Sequence, residues 1–138
     1  MLDRGTKIYA AVLAVIVLAF TAAVLYEPPK LRDLNRVLAA DPQLAAYPYP
    51  FRVLRVEGST AVMGSPRSAE VPVRRVLGVL EPAVAGLADE DPAYLAAQQR
   101  LADTQDHARE RVLADPAINT VRWELDADWL RAQGIPLP

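Results

Sequence analysis

The stretch Phe51-Arg-Val-Leu-Arg-Val56-Glu-Gly58-Ser-Thr60-Ala-Val-Met63-Gly64-Ser-Pro-Arg-Ser68 decides the fold. Phe51 to Val56 and Thr60 to Met63 are rich in β-branched and apolar residues, and Glu57-Gly58-Ser59 separates them. Two such runs around a glycine predict a β-hairpin, with Gly58 where a positive φ is needed. Gly64-Ser65-Pro66-Arg67-Ser68 closes the second strand, and Gly64 is expected to let that strand leave the sheet.

Upstream, Tyr47-Pro48-Tyr49-Pro50 has to be extended, because each residue before a proline is driven out of the α region. It reads as a rigid lead-in with its rings on the core, in preference to a ligand for a proline-binding groove. Leu31 to Ala40 reads as a helix, with Leu31, Leu34, Val37 and Leu38 at three- and four-residue spacing. Asp41-Pro42 either ends it or caps a short turn through Ala46. Downstream, Val71 to Leu80 reads as a helix with Pro72 in its first turn, and Gly86 to Glu90 as a surface loop. Asp91-Pro92 opens a long helix to about Ala114, whose stripe Leu95, Gln98, Leu101, Gln105, Ala108 and Val112 suits covering a sheet. Ile118 to Leu125 is a strand with Val121, Trp123 and Leu125 on one face, and Asp126 to Asp128 caps a last helix, Trp129 to Gln133. The fold class is α+β: a small three-stranded, mainly antiparallel sheet packed with helices.

Ahead of this domain, Ile8 to Tyr26 holds nineteen residues without a charge. About 20 apolar residues span the hydrocarbon core as a helix. Tyr9 and Tyr26 mark the two ends, where aromatic rings favour the headgroup layer, and Glu27-Pro28-Pro29-Lys30 stops the run. The rival is a secretory signal cut after Ala23, but the run exceeds the usual ~7–15-residue apolar core and its flank carries Asp3. Without cysteine, a lipoprotein is excluded. The division is thus an N-terminal segment over 1–26 with a transmembrane helix over 8–26, a linker and first helix over 27–50, and an α/β extracytoplasmic domain over 51–138. Seven residues before the span fit insertion with the N-terminus cytoplasmic and the domain periplasmic, in an inner (plasma) membrane.

At the hairpin and last strand the chain resembles the BON domain family. Val56 to Ser68 looks like that family's strand–glycine–strand–glycine core, and Asp115-Pro116-Ala-Ile118-Asn-Thr-Val121-Arg-Trp123-Glu-Leu125 like its closing helix-to-strand segment. Leu34 to Ala46 would supply the helix before the hairpin. Val71 to roughly Gln98 is extra, Trp123 stands where the family often has asparagine, and Ala117 where it often has glycine. The resemblance implies a non-catalytic, membrane-associated module that binds phospholipid, other envelope components or a protein partner.

Catalytic and cofactor constellations are weak. His107 is the single histidine, and Asp103 and Glu110 share its helix face. A metal site generally wants more than one imidazole, so these residues read as a solvated face with local ion pairs. Ser59, Ser65 and Ser68 lie in turns where hydroxyls cap backbone groups, and no nucleophile elbow or phosphate loop surrounds them. No enzyme, cofactor or metal is expected.

Partner signals lie elsewhere. Glu27 to Arg75 carries eight basic and five acidic residues, whereas Val76 to Pro138 carries five and eleven, which disfavours nucleic acid. Lys30, Arg32 and Arg36 are candidate membrane-interface contacts, worth about 1 kcal/mol each near anionic lipid. Ala10, Ala14, Ala19 and Ala23, at four-residue spacing in pairs, offer a helix-packing face within lipid. Trp129, beside Leu130 and Ile135, either docks on the domain or contacts a partner. The function expected is a membrane-anchored interaction module; the alternative is an accessory or assembly subunit of a larger membrane complex, docked through its transmembrane helix. A Cβ at positive φ costs roughly 1–2 kcal/mol. Gly58→Val should therefore lower the melting temperature of Lys30–Pro138 by several degrees, and His107→Ala should change it little, as calorimetry would read.

Overall fold

A computed structural model describes residues 3–25 and 28–138. Over them run helix α1 (Arg4–Leu25), α2 (Pro29–Ala40), α3 (Pro42–Ala45), strands β1 (Val53–Glu57) and β2 (Thr60–Ser65), α4 (Val73–Leu80), a 3-10 turn (Pro82–Val84), α5 (Pro92–Leu113), β3 (Thr120–Leu125) and α6 (Ala127–Ala132). The chain is mixed α+β, with the element order read from the sequence. Helix α1 carries the apolar run, buries none of its residues, and is long and apolar enough to cross a membrane. Tyr26 and Glu27, expected at its far end, lie outside the described residues.

Local chemistry explains most boundaries. Pro29 opens α2, where its missing N–H costs nothing, and the helix buries Leu34 and Leu38. Asp41 both ends α2 and caps α3: its backbone is extended, and its Oδ1 accepts from Gln43 N at 3.0 Å and Leu44 N at 3.1 Å. The Tyr47–Pro50 segment packs inward. Tyr49 is fully buried edge-on to Phe51, centroids 4.7 Å apart, and Phe51 lies edge-on to Trp123 at 6.1 Å.

The sheet order is β1-β2-β3. Strands β1 and β2 are antiparallel across the Gly58 turn, where Gly58 has φ +61°. A bulge interrupts their register between Val53 and Arg55. Strand β3 pairs parallel to β2, from Thr60 opposite Thr120 to Ser65 opposite Leu125. The sheet is therefore mixed, not mainly antiparallel. The connection explains it: the chain leaves the end of β2, passes through α4 and α5, and returns to the start of β2, where Asn119 N donates to Ser59 O at 2.8 Å. Val53, Ala61 and Met63 are buried in a core shared with α2, α4 and α5, and Val121, Trp123 and Leu125 are half-buried against it. On the opposite face Val62 is fully buried between its strand neighbours Arg55 and Arg122.

Two expected details shift. Helix α5 buries Tyr94, Ala97, Leu101, Thr104, Gln105, Ala108 and Val112, whereas Leu95 is 49% exposed. The Asp91 cap and Pro92 set the helix phase so that Tyr94, under the Arg74 guanidinium at 4.5 Å, turns inward. Gly64 does not release β2 from the sheet; it pairs with Glu124 inside the strand. A Cβ there would lie 3.1 Å from Tyr49 Oη and 3.4 Å from Asp126 Oδ2. The glycine leaves room for the bond Tyr49 donates to Asp126 at 2.8 Å. Gly64→Ala is expected to cost about 1–3 kcal/mol by overpacking. In a double-mutant cycle with Tyr49→Phe, which removes the crowded oxygen, the costs should fall short of additivity by at least ~0.5 kcal/mol. Additive melting shifts would refute that role.

Candidate functional site

Where β2 ends, the chain builds the polar cleft that is the candidate site. Ser65 terminates the strand, Pro66 prevents its continuation, and Arg67 to Ala69 turn toward α4. Ser65 Oγ accepts from Arg67 N at 3.3 Å, and Ser68 Oγ accepts from Glu70 N at 3.2 Å, so each hydroxyl fixes its own turn. Val73 of α4, Gln98 and Gln105 of α5, and Trp123 of β3 complete the lining of a cleft of about 430 Å³.

Its centre is Gln105, only 7% exposed although it sits on a buried helix stripe. Gln105 Oε1 lies 3.1 Å from Arg67 Nε and 3.3 Å from Ser65 Oγ. A guanidinium nitrogen can only donate, so the amide oxygen faces Arg67. Arg67 is half-buried, and among the described residues no carboxylate pairs with it. The lining contains no acid.

A second polar cluster ties the first helices to α5. Asp41, also 7% exposed, receives His107 Nε2 at 2.8 Å and Arg111 Nε at 3.1 Å on Oδ2, besides the backbone amides on Oδ1. An ionised carboxylate only accepts, so His107 Nε2 carries the proton. Burial pushes the Asp41 carboxyl up, but the bonds from His107, Leu44 and Gln43 outweigh it and hold it below the ordinary range. The expected solvated face around His107 is thus corrected: the imidazole is turned into the domain onto a buried acid. Its partner is Asp41, not a serine; Ser65 meets Gln105 and the Arg67 carbonyl instead.

The open sheet face carries a lattice of charge. Arg55 bonds Glu124 at 2.8 and 3.2 Å and Glu57 at 2.7 Å, while Arg122 reaches Glu57 at 3.1 Å. Hydrogen bonds from Arg55 hold both glutamates below their usual range. At the other end, Asp126 joins Tyr49, Arg52 at 3.4 Å and the α6 amide of Trp129 at 3.2 Å.

The residues singled out in the sequence are dispersed. Lys30 is drawn to Asp115 at 2.9 Å, which lowers that carboxyl, and Arg36 lies 3.8 Å from Asp33; Arg32 is exposed on the same helix. Ala10, Ala14, Ala19 and Ala23 are exposed along α1. Trp129 is half-buried, edge-on to Tyr49 with centroids 5.0 Å apart. Neither the Arg67 cleft nor the Asp41 cluster was foreseen. The available signal was glutamine at position 105, on the buried stripe, where a purely structural helix would place an apolar residue.

Comparison with known proteins returns no matching family model, no matching curated protein and no matching solved structure.

The lowered carboxyls of Asp41, Glu57, Asp115 and Glu124 dictate an acid profile. Their stabilisation is complete above the unfolded carboxylate range, about pH 4, and is lost as pH falls through the lower folded values. The melting temperature should stay level from pH 7 to about 5 and drop below about 4. Asp41→Asn, which keeps an N-cap but loses the charge, should lower the pH 7 melting temperature and flatten the acid drop. His107→Ala, contrary to the expectation above, should also lower it. A calorimetric pH series checks all three.

Proposed function

We propose that the chain is a single-pass membrane protein whose extracytoplasmic α+β domain is a non-enzymatic, BON-like binding module for envelope components or a protein partner. The observation that carries this reading is the contrast between its two parts. Helix α1 leaves Ile8, Val15, Leu18, Phe20 and Leu25 exposed, each by more than half, while the domain closes its own core around Leu34, Met63, Leu77 and Leu101. Contiguous apolar surface on that scale is not left in water, so a bilayer is its natural solvent. The domain's Arg67 cleft has groups that donate hydrogen bonds without a paired nucleophile and base, which suits holding a ligand more than transforming one. In this reading the N-terminus is cytoplasmic and the domain periplasmic.

A second reading draws on α1 itself. Its exposed alanines would let another membrane helix approach closely, as an accessory or assembly subunit of a membrane complex requires. Exchanging Ile8–Tyr26 for an unrelated apolar helix separates the two. A binding module should stay in the membrane pellet after alkaline carbonate and still copurify with its partner in mild detergent. Loss of copurification with membrane retention intact would favour the accessory subunit. Release of the unaltered protein by carbonate would sink both.

A further inference from the structure

We infer that the Arg67 cleft binds a small organic oxyanion, a carboxylate or phosphate ester, with a flat apolar body laid toward Trp123. The inference rests on the domain being a binding module and names the ligand class that its cleft takes.

Lys30, Arg52, Arg55, Arg74, Arg100, Arg111 and Arg122 each have a carboxylate within the domain. Arg67, half-buried at the mouth of a cavity, has none among the described residues. A guanidinium withdrawn from water without a counter-charge is costly, and an incoming anion would offset that cost.

Arg67 Nε is held on Gln105 Oε1, which fixes the plane of the guanidinium and leaves its two terminal nitrogens without a protein partner among the described residues. The same bond orients Gln105, so its amide nitrogen, which also makes no hydrogen bond there, is a second donor beside the first. A planar fork next to an amide donor is the arrangement that matches an oxyanion. Ser68 and Gln98 add polar groups at the lining.

About 430 Å³ lies within the ~300–1,000 Å³ of small-molecule sites and exceeds what a bare ion fills. Ala69, Val73 and Trp123 supply the apolar wall. No carboxylate lines the cleft, in a chain of net charge −2, so a metal cation finds no ligand set and an anion meets no repulsion at the wall.

The test uses the full chain in nonionic detergent, carrying Trp129→Phe so that Trp123 is its only indole. Benzoate, phenyl phosphate and neutral benzamide are titrated at constant ionic strength while indole emission is followed, and isothermal calorimetry on the unaltered chain controls for the substitution. At least one anion should give saturable binding and benzamide none; which anion binds more tightly tells carboxylate from phosphate ester. Arg67→Met should weaken binding at least tenfold, Arg67→Lys less, and Arg131→Met, on the surface beside Asp128, not at all. Gln105→Glu places a carboxylate against Arg67. It should abolish anion binding while the melting temperature holds or rises, which a merely structural glutamine would not do. No saturable binding of either anion, equal binding of benzamide, or unchanged affinity in both Arg67→Met and Gln105→Glu would overturn the inference. No bilayer or partner enters these titrations, so their failure removes the ligand class alone, whereas the carbonate and copurification results bear on the membrane module.

Discussion

The hydrogen bond from Tyr49 to Asp126 passes over Gly64 and joins residues 77 positions apart. Three parts of the domain converge there: the proline-stiffened lead-in, the central strand and the junction of β3 with α6. The bond is buried, so neither partner can turn to water if the other moves. Burial, and next the bond to Asp126, push the Tyr49 hydroxyl far up, keeping it a donor at any ordinary pH. Around it Phe51 and Trp129 meet the Tyr49 ring edge-on, so the polar contact and the aromatic cluster hold one another in register. Everything downstream of β3 depends on that junction being made.

Asp41 repeats the device at a different corner. Both aspartates cap a short helix, α3 and α6, with one oxygen, and both give the other oxygen to side chains distant in sequence. A helix of four or six residues is not stable by propensity. Here each is held because its cap is a tertiary contact. The same carboxylate that satisfies the helix amides anchors the helix to α5 in one case and to the lead-in in the other. Local and long-range structure are thus one interaction, which is why the ends of these elements are well defined despite their length.

Legibility followed the range of the interaction. The hairpin, the helix start at Asp91 and the last cap at Asp126 were readable, because a cap or a positive-φ glycine acts within a few residues, whereas α2 begins at Pro29, two residues before the expected Leu31. The parallel pairing of β3 was not, since it depends on where two intervening helices bring the chain back. Gly64 was misread for the same reason: its role is space for Tyr49 and Asp126, and nothing nearby in the chain announces that. The cleft was hidden by category. Gln98 and Gln105 were placed on one helix stripe and Ser65 and Ser68 in turns, whereas Ser65 ends strand β2; Arg67 was passed over, and only the fold sets these residues around one space. His107 shows the converse, a residue assigned to water from its helical neighbours and drawn inward by Asp41 on another helix.

The parallel ladder also has a consequence in time. A hairpin closed over a short turn can form in roughly 1–10 μs. The second edge of β2 cannot be paired until α4 and α5 have been traversed and β3 has been laid alongside it. Non-local closure of this kind is slow, and an unpaired edge is a template for any extended chain that meets it first. The central strand, Thr60 to Ser65, is also the most buried of the three, with Ala61, Val62 and Met63 fully buried once folded. During folding this domain is therefore most exposed to misassembly at its own centre, for as long as the chain takes to reach Thr120.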